Sequence, residues 1–270
     1  MSFNKHFIRF GLGVALGFSV GSFAHAQGFS ALISPPRIET LAKPGQTTRH
    51  VVEVSQVGPA PGKFRVYTAD WSLNNTGGVD FFETLQPGSC RPWVALEKRD
   101  LTVPGNAKIR FRFEITPPAD APSNECRFAI MFEGLDTSTV SPGALSFPVS
   151  GRIGVIVYAG LPGNTMQLQV VGQGMSKDGS KTPQILVSNT GTAHGRVAAL
   201  LGGSDASGKA LDFSLSTLPI MPGETRTLAI TPSLPGSNSP TGALQYPVTV
   251  KGRLEWAGKR VPFEHVFKDE

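Results

Sequence analysis

The sequence predicts an all-β fold of two β-sandwich domains, joined by a short linker. Apolar and polar residues alternate along many short segments, and no window of about 11 residues repeats its apolar residues with a helical period. The 31 glycines and 22 prolines are scattered along the chain rather than clustered. Because both residues break helices and favour turns, their distribution indicates many short strands.

The first element is a predicted secretory signal peptide, residues 1–26. Lys5 and Arg9 give it a positive start, residues 10–23 are apolar or small, and residues 24–26 (Ala-His-Ala) fit a cleavage site. The apolar stretch is short for a membrane-spanning helix. The alternative is an N-terminal helix that stays uncleaved. We expect the mature chain to work outside the cytoplasm.

The charge of the chain argues against nucleic acid as a partner. The net charge is +5, and the two basic residues of the predicted signal peptide account for two of these charges. No run of lysine and arginine concentrates the remainder on one segment.

The first sandwich is predicted within residues 27–160. Segments 49–54 and 63–67 alternate or nearly so, and segment 108–115 alternates strictly between apolar and charged residues. Strict alternation is typical of an antiparallel strand with one face in the core and the other in water.

Three predicted strands follow a proline–glycine pair. The pairs are Pro44-Gly45, Pro104-Gly105 and Pro222-Gly223. Proline fixes φ at the first corner of a type II turn, and glycine accepts the positive φ of the second corner. We therefore expect a type II turn at each pair.

The second sandwich is predicted within residues 161–270, after a glycine- and proline-rich break at residues 160–164. Its strands are predicted at 166–171, 184–188, 196–201, 225–230, 246–255 and 260–267. Two segments rich in glycine and serine, 202–208 and 235–242, are expected to be exposed, mobile loops.

Cys90 and Cys126 are the only cysteines of the chain. Two cysteines in an oxidising compartment usually pair, which predicts a structural disulfide. A redox-active pair is the alternative, although the Cys-x-x-Cys spacing typical of such pairs is absent.

No pattern of catalytic or metal-ligating residues is recognisable. The mature chain has three histidines, His50, His194 and His265, which are far apart in sequence and match no metal-site spacing. We expect no enzyme activity, no metal and no cofactor, and no small-molecule substrate. A secreted enzyme or metalloprotein that uses His194 or His265 is an alternative.

Several motifs occur in an order that resembles a known family. They are LISPPRI at 32–38, FRVYTADW at 64–71, RPWVAL at 91–96, CRFAIMF at 126–132 and the long strand-like segment 145–158. Over about residues 30–160, this order resembles the N-terminal domain of PapD-like periplasmic chaperones of the chaperone–usher type. The second sandwich fits this family by size and position only. The resemblance implies that both domains are immunoglobulin-like β-sandwiches and that they are set at an angle.

The resemblance implies a function. Chaperones of this family act in the periplasm, where they bind fimbrial (pilin) subunits by donor-strand complementation and deliver them to an outer-membrane usher. The chaperone lends one strand to an incomplete subunit, which hides an edge and a groove that would otherwise aggregate. A structural or adhesive two-domain protein of the cell envelope is the alternative.

The resemblance also implies the donor strand. Leu145, Phe147 and Val149 are large apolar residues at alternating positions, and they align with the donor residues of the family. Pro148 removes one backbone N–H, which an edge strand tolerates. The alternative is an ordinary core strand.

A carboxylate anchor is implied as well. The family binds the C-terminal carboxylate of the subunit with two basic residues, of which the first aligns with Arg37 and the second with Gly154. Arg152 is two residues earlier, on the same strand face, and is predicted to replace the second. An ordinary solvated strand arginine is the alternative for Arg37. Tyr158 stands where the best-known members have an arginine that forms an interdomain ion pair, so we expect a divergent subgroup that lacks this pair.

Overall fold

The computed structural model describes residues 30–74, 76–135, 151–237, 241 and 244–269. These residues form seventeen β-strands and one short 3₁₀ turn, which confirms the predicted all-β fold. The three β-sheets build two β-sandwiches. In the described part of the chain, no helix is long and apolar enough to cross a membrane.

Ten strands and the 3₁₀ turn (Arg91–Trp93) build the first sandwich. The strands are β1 (Ala31–Ser34), β2 (Arg37–Leu41), β3 (Thr48–Gln56), β4 (Gly62–Leu73), β5 (Val79–Phe82), β6 (Val94–Leu96), β7 (Asp100–Val103), β8 (Lys108–Ile115), β9 (Glu125–Gly134) and β10 (Arg152–Gly160). One sheet has the order β1-β3-β8-β6, and the other has the order β2-β10-β9-β4-β5 with β7 paired to β4.

The N-terminal strand pair contributes to both sheets. Strand β1 pairs with β3 in an antiparallel manner, whereas β2 pairs with β10 in a parallel manner. Pro35 and Pro36 separate the two strands. Because proline cannot donate a ladder hydrogen bond, this break lets the chain leave one sheet and join the other.

The core of the first sandwich lies between its two sheets. Strand β8 buries Phe111, Phe113 and Ile115 and exposes its charged residues, which confirms the alternation predicted for 108–115. Phe111 meets Phe132 of β9 edge to face, with ring centroids 5.3 Å apart, so aromatic contacts join the two sheets.

Seven strands build the second sandwich. They are β11 (Leu168–Met175), β12 (Pro183–Asn189), β13 (Ala198–Ser204), β14 (Ala210–Leu215), β15 (Thr225–Ser233), β16 (Val248–Trp256) and β17 (Lys259–Phe267), in the order β11-β12-β15-β14-β13-β16-β17. The first half of β15 pairs with β12 and its second half with β14, so the sheet turns a corner along this strand. The two edge strands approach each other, since Gln173 Nε2 of β11 is 3.1 Å from His265 Nδ1 of β17.

The prediction of an exposed loop at 202–208 is wrong at its beginning. Gly202, Gly203 and Ser204 belong to β13 and pair with β16. A Cβ at Gly203 would overlap the backbone oxygen of Thr249, so this glycine permits close strand contact rather than a turn. Strand β14, which follows this segment, was not predicted. Part of the second predicted loop, residues 238–240 and 242, lies outside the described residues.

The prediction of a type II turn is wrong at one of the three proline–glycine pairs. Gly45 and Gly223 have φ values of 70° and 75°, as a type II turn requires. At the third pair the positive φ belongs to Asn106 (53°), and Ala107 N donates to Pro104 O. A Cβ at Gly105 would overlap the backbone oxygen of Pro59. Glycine is therefore needed at this position because the loop at Pro59 comes close to it, and not because of its own φ.

The buried residues form separate clusters along the chain. One large cluster runs from Ala31 to Leu161, and the other runs from Leu168 to Phe267. The boundary between domains 27–160 and 161–270 stays a prediction, and the Leu161 side chain packs into the first cluster.

Candidate functional site

The outer face of the second sheet of the first sandwich carries the predicted anchor residues. Along β10, Ile153, Val155 and Val157 point into the core, so the residues between them point outward. We call the outward side of β2, β10, β9, β4 and β5 the cleft face, because the second sandwich contacts one end of it.

In the middle of the cleft face, large apolar side chains cover smaller ones. Ala69, Ala129 and Met131 are fully buried beneath four larger side chains. These are Tyr67, Trp71, Phe81 and Ile156.

Gly154 lies under this aromatic cover. A Cβ at Gly154 would be 2.7 Å from Phe81 Cζ and 3.0 Å from Met131 Sδ. Phe81 therefore fills the space in which a longer side chain at this position would lie. A basic residue at position 154 would require Phe81 to move away.

Arg37 lies on the cleft face at its edge. It is opposite Ile156 in the pairing of β2 with β10, and about half of its side chain is exposed. Its Nε is 3.0 Å from Glu39 Oε1, and Glu39 is two residues further along the same face.

Arg152 is on the same face but is not beside Arg37. It precedes Ile156 by four residues, which places it about 13 Å from Arg37 along the strand direction. Arg37 extends toward Glu39, which is in the opposite direction. The structure therefore places the two predicted anchor residues on one face without bringing them together.

The predicted donor residues Leu145, Phe147 and Val149 lie outside the described residues. The strand that follows them is described: β10 pairs with β9 along its whole length, but β2 pairs only with Ile156–Gly160. Among the described strands, none pairs with the other edge of residues 152–155. As far as the described strands go, this edge of β10 is therefore open next to the predicted donor segment.

His194 of the second sandwich packs against one end of the cleft face. Its ring stacks on Tyr158 with centroids 3.8 Å apart, and its Nδ1 is 2.6 Å from Glu125 Oε2. Arg196 Nη1 donates to His194 Nε2 at 2.9 Å. Because Nε2 accepts this hydrogen bond, the ring proton is on Nδ1 and is donated to Glu125.

Tyr158 is buried in this contact. Burial raises the pKa of its hydroxyl, and the nearby Arg196 partly offsets this effect. The position where the best-known family members have an arginine thus contributes an aromatic stack to the contact between the sandwiches. Between the sandwiches there are instead a hydrogen bond from His194 to Glu125 and an ion pair of Glu39 with Arg196.

Glu39 connects the two sandwiches. Arg196 Nη1 donates to Glu39 Oε1 at 3.3 Å, and this is the same oxygen that Arg37 approaches. Sequence reasoning missed both Glu39 and Arg196. The alternation along β2 was a signal that Glu39 shares a face with Arg37, but nothing in the sequence indicated a contact with Arg196.

A second contact joins the sandwiches at the β4–β5 hairpin. Arg226 donates to the backbone oxygens of Asn74 (3.1 Å) and Leu73 (3.4 Å). Leu218 packs on Gly77, where an added Cβ would be 2.9 Å from Leu218 Cδ1. This hairpin also carries β5 and therefore Phe81, the residue that covers Gly154.

Cys90 and Cys126 are joined by a disulfide with their Cα atoms 5.9 Å apart. The bond links the loop before the 3₁₀ turn to the start of β9. Both cysteines are buried in the first core, away from the cleft face. This location fits the structural role predicted for the pair.

The two histidines of the alternative enzyme or metalloprotein prediction, His194 and His265, contact neighbouring side chains. His194 is engaged as described, and His265 contacts Gln173 and Phe267. Within the described ranges, no group of three or more His, Cys, Asp or Glu residues is arranged to hold a metal ion.

Comparisons with known proteins give matches in structure but not in sequence. No protein-family model and no curated protein matches the chain. Among solved structures, the chain is similar to the class 5 fimbriae chaperone CfaA, with 13% identity, a TM-score of 0.47, and coverage of 89% of this chain and 100% of that one.

Two complexes are also similar. One is the SafB chaperone with the SafA pilin of Salmonella enterica, with 14% identity, a TM-score of 0.47, and coverage of 89% of this chain and 97% of that one. The other is the CsuC–CsuE chaperone–subunit complex of Acinetobacter baumannii, with 15% identity, a TM-score of 0.44, and coverage of 90% and 100%. All three structures contain a chaperone of fimbriae or of a pilus subunit, and the CsuC–CsuE complex comes from an archaic chaperone–usher system.

Proposed function

We propose that the protein is a periplasmic chaperone that binds fimbrial subunits by donor-strand complementation and delivers them to an outer-membrane usher. The observation that carries the proposal is the edge of β10 at residues 152–155, which pairs with none of the described strands and directly follows the predicted donor segment. The motif order of the sequence and the exposed arginine of the cleft face support it.

The open edge suits the addition of a strand from a partner. Unpaired backbone N–H and C=O groups at a sheet edge bind an extended segment through main-chain hydrogen bonds, and alternate side chains give specificity. Leu145, Phe147 and Val149 supply large apolar side chains at alternate positions for a subunit groove. Such an edge is an aggregation hazard unless it serves a partner.

Arg37 suits the partner's C-terminal carboxylate. Its guanidinium is half exposed at the edge of the cleft face, and its planar fork matches a carboxylate in a bidentate manner. The apolar surface around Ile156 lowers the local dielectric, which strengthens such a contact. Donor strand and anchor would therefore hold two different parts of one subunit.

The test is co-expression of the full chain with a fimbrial subunit, followed by native mass spectrometry of the intact complex. We expect a one-to-one complex for the wild type. Phe147→Asp should abolish it, because the substitution places a charge in an apolar groove.

Ser146→Asp is the matched control, because successive residues of a donor strand would face opposite sides. It should leave most of the complex intact. Equal complex formation by Phe147→Asp and the wild type would disprove the donor assignment. If the wild type forms no complex with any subunit offered, a structural protein of the envelope becomes the better account.

A further inference from the structure

A carboxylate already lies between two arginines at the edge of the cleft face. Glu39 Oε1 is 3.0 Å from Arg37 Nε of the same strand and 3.3 Å from Arg196 Nη1 of the second sandwich. The side chain of Glu39 is about half exposed, so it is free to turn into solvent. The two arginines therefore form a carboxylate site that is filled from within the chain.

Arg196 is held in place by contacts other than Glu39. Its Nη1 donates to His194 Nε2 at 2.9 Å, and its Cζ lies 5.8 Å from the centre of the Tyr158 ring. His194 is itself fixed by Glu125 and by the Tyr158 stack. Arg196 would thus keep its position when Glu39 leaves, and an oriented arginine loses less entropy on binding.

The second anchor residue predicted from the sequence is placed less favourably. Arg152 lies about 13 Å from Arg37 along the strand direction, on the side away from Glu39. Position 154, which lies between them, is a glycine covered by Phe81.

We propose that Arg196, and not Arg152, is the second basic anchor for the C-terminal carboxylate of the subunit, and that Glu39 occupies this anchor in the free protein. The proposal rests on the proposed chaperone function and makes it specific. Subunit binding exchanges one carboxylate for another between Arg37 and Arg196. Because Arg196 belongs to the second sandwich, the bound carboxylate bridges the two sandwiches in place of Glu39.

The test compares a synthetic peptide of the subunit's C-terminal segment as the free acid and as the C-terminal amide, with binding measured by calorimetry. The wild type should prefer the free acid. Arg37→Gln and Arg196→Gln should each reduce this preference by about tenfold, as loss of a charge-assisted contact predicts, whereas Arg152→Gln should not change it.

Glu39→Gln is expected to increase the affinity, a result that misfolding cannot produce because misfolding weakens binding. Removing the competing carboxylate should tighten binding of the free acid up to about fivefold, because the pair it breaks is half exposed, and should not affect the amide. Arg196→Lys is a second check, since it retains the charge and should recover part of the preference. Glu53→Gln, in an exposed ion pair with Lys108 on the other sheet, is the matched control and should behave like the wild type.

The outcomes separate the two proposals. If the wild type binds the subunit but Arg196→Gln keeps the full preference, or Glu39→Gln gives no gain, this inference is overturned and the chaperone function stands. Equal binding of acid and amide by the wild type also overturns it. If the wild type binds neither peptide nor intact subunit, both proposals fail.

Discussion

His50 shows how a single residue couples the core to pH. Its ring stacks on Phe113 with centroids 5.1 Å apart, and its Nε2 is buried without a hydrogen-bond partner among the described residues. Burial lowers the pKa of His50 below its usual 6.5. The unfolded chain therefore binds a proton at a higher pH than the folded one does, so stability falls as the pH drops from 6.5 toward the folded pKa and then levels off.

His50→Phe should remove this part of the pH dependence while retaining the ring stack. The free energy of unfolding, measured with urea at pH 7.5 and pH 5, should decrease less for the variant than for the wild type. His265→Phe, at a histidine on the edge strand β17, is the control and should keep the wild-type difference. An unchanged difference in His50→Phe would contradict the assignment.

At the same scale, the sequence predicted some site residues and not others. The anchor role of Arg37 stays a prediction from the motif LISPPRI, but its place on the cleft face was predictable, because alternation fixes its side. Its partners were not: Glu39 and Arg196 are 157 residues apart, and only the relative position of the two sandwiches brings them together. Arg152 shares the predicted face, but a pattern of period two cannot give the distance to Arg37.

Among the elements, the loop between β5 and β6 depends on one buried ion pair. Asp70 of β4 accepts hydrogen bonds from Gln86 N (3.0 Å), Ser89 Oγ (2.7 Å) and Arg91 Nη1 (3.2 Å). The side chains of Asp70 and Arg91 are only 9% and 14% exposed, so removal of one partner leaves a poorly solvated charge.

Asp70→Ala should therefore cost about 3 kcal/mol of the free energy of unfolding. The measurement is urea unfolding of the mature chain with its disulfide intact. Asp80→Ala, at an exposed position of the neighbouring strand β5, should change stability by less than about 0.5 kcal/mol. Similar losses in the two variants would mean that the Asp70–Arg91 pair does not organise the loop.

The elements that the sequence predicted are those whose pattern is local. Strand β8 was found because strict alternation is readable from adjacent residues. The extension of β13 was missed because Gly202 and Gly203 look like a loop in sequence. Their strand state depends on the close approach of β16, which is a property of tertiary structure. The turn at Gly105 was misjudged for the same reason, since the Pro59 backbone determines it. Strand β14 was missed although its residues alternate in the same local way, with Leu211, Phe213 and Leu215 buried.

For the whole molecule, the described residues show two places where the sandwiches contact each other. One is the His194–Tyr158 contact beside the Glu39–Arg196 ion pair, and the other is the β4–β5 hairpin held by Arg226. Both contacts involve the sheet that carries the cleft face. Phe81, which is on the β4–β5 hairpin, covers position 154. Composition and alternation predicted two β-sandwiches, but they contain no information about contacts between sequence-distant loops, so this arrangement had to come from the structure.

The central claim is that the chain lends the segment around residues 145–155 to a fimbrial subunit. Amide hydrogen exchange of the full chain, alone and in complex with a subunit, tests it most directly, because main-chain pairing slows exchange of the paired amides. We expect new protection in 145–155, with little change in the exposed strands β16 and β17. A stable complex in which 145–155 gains no protection would contradict donor-strand complementation by this chain.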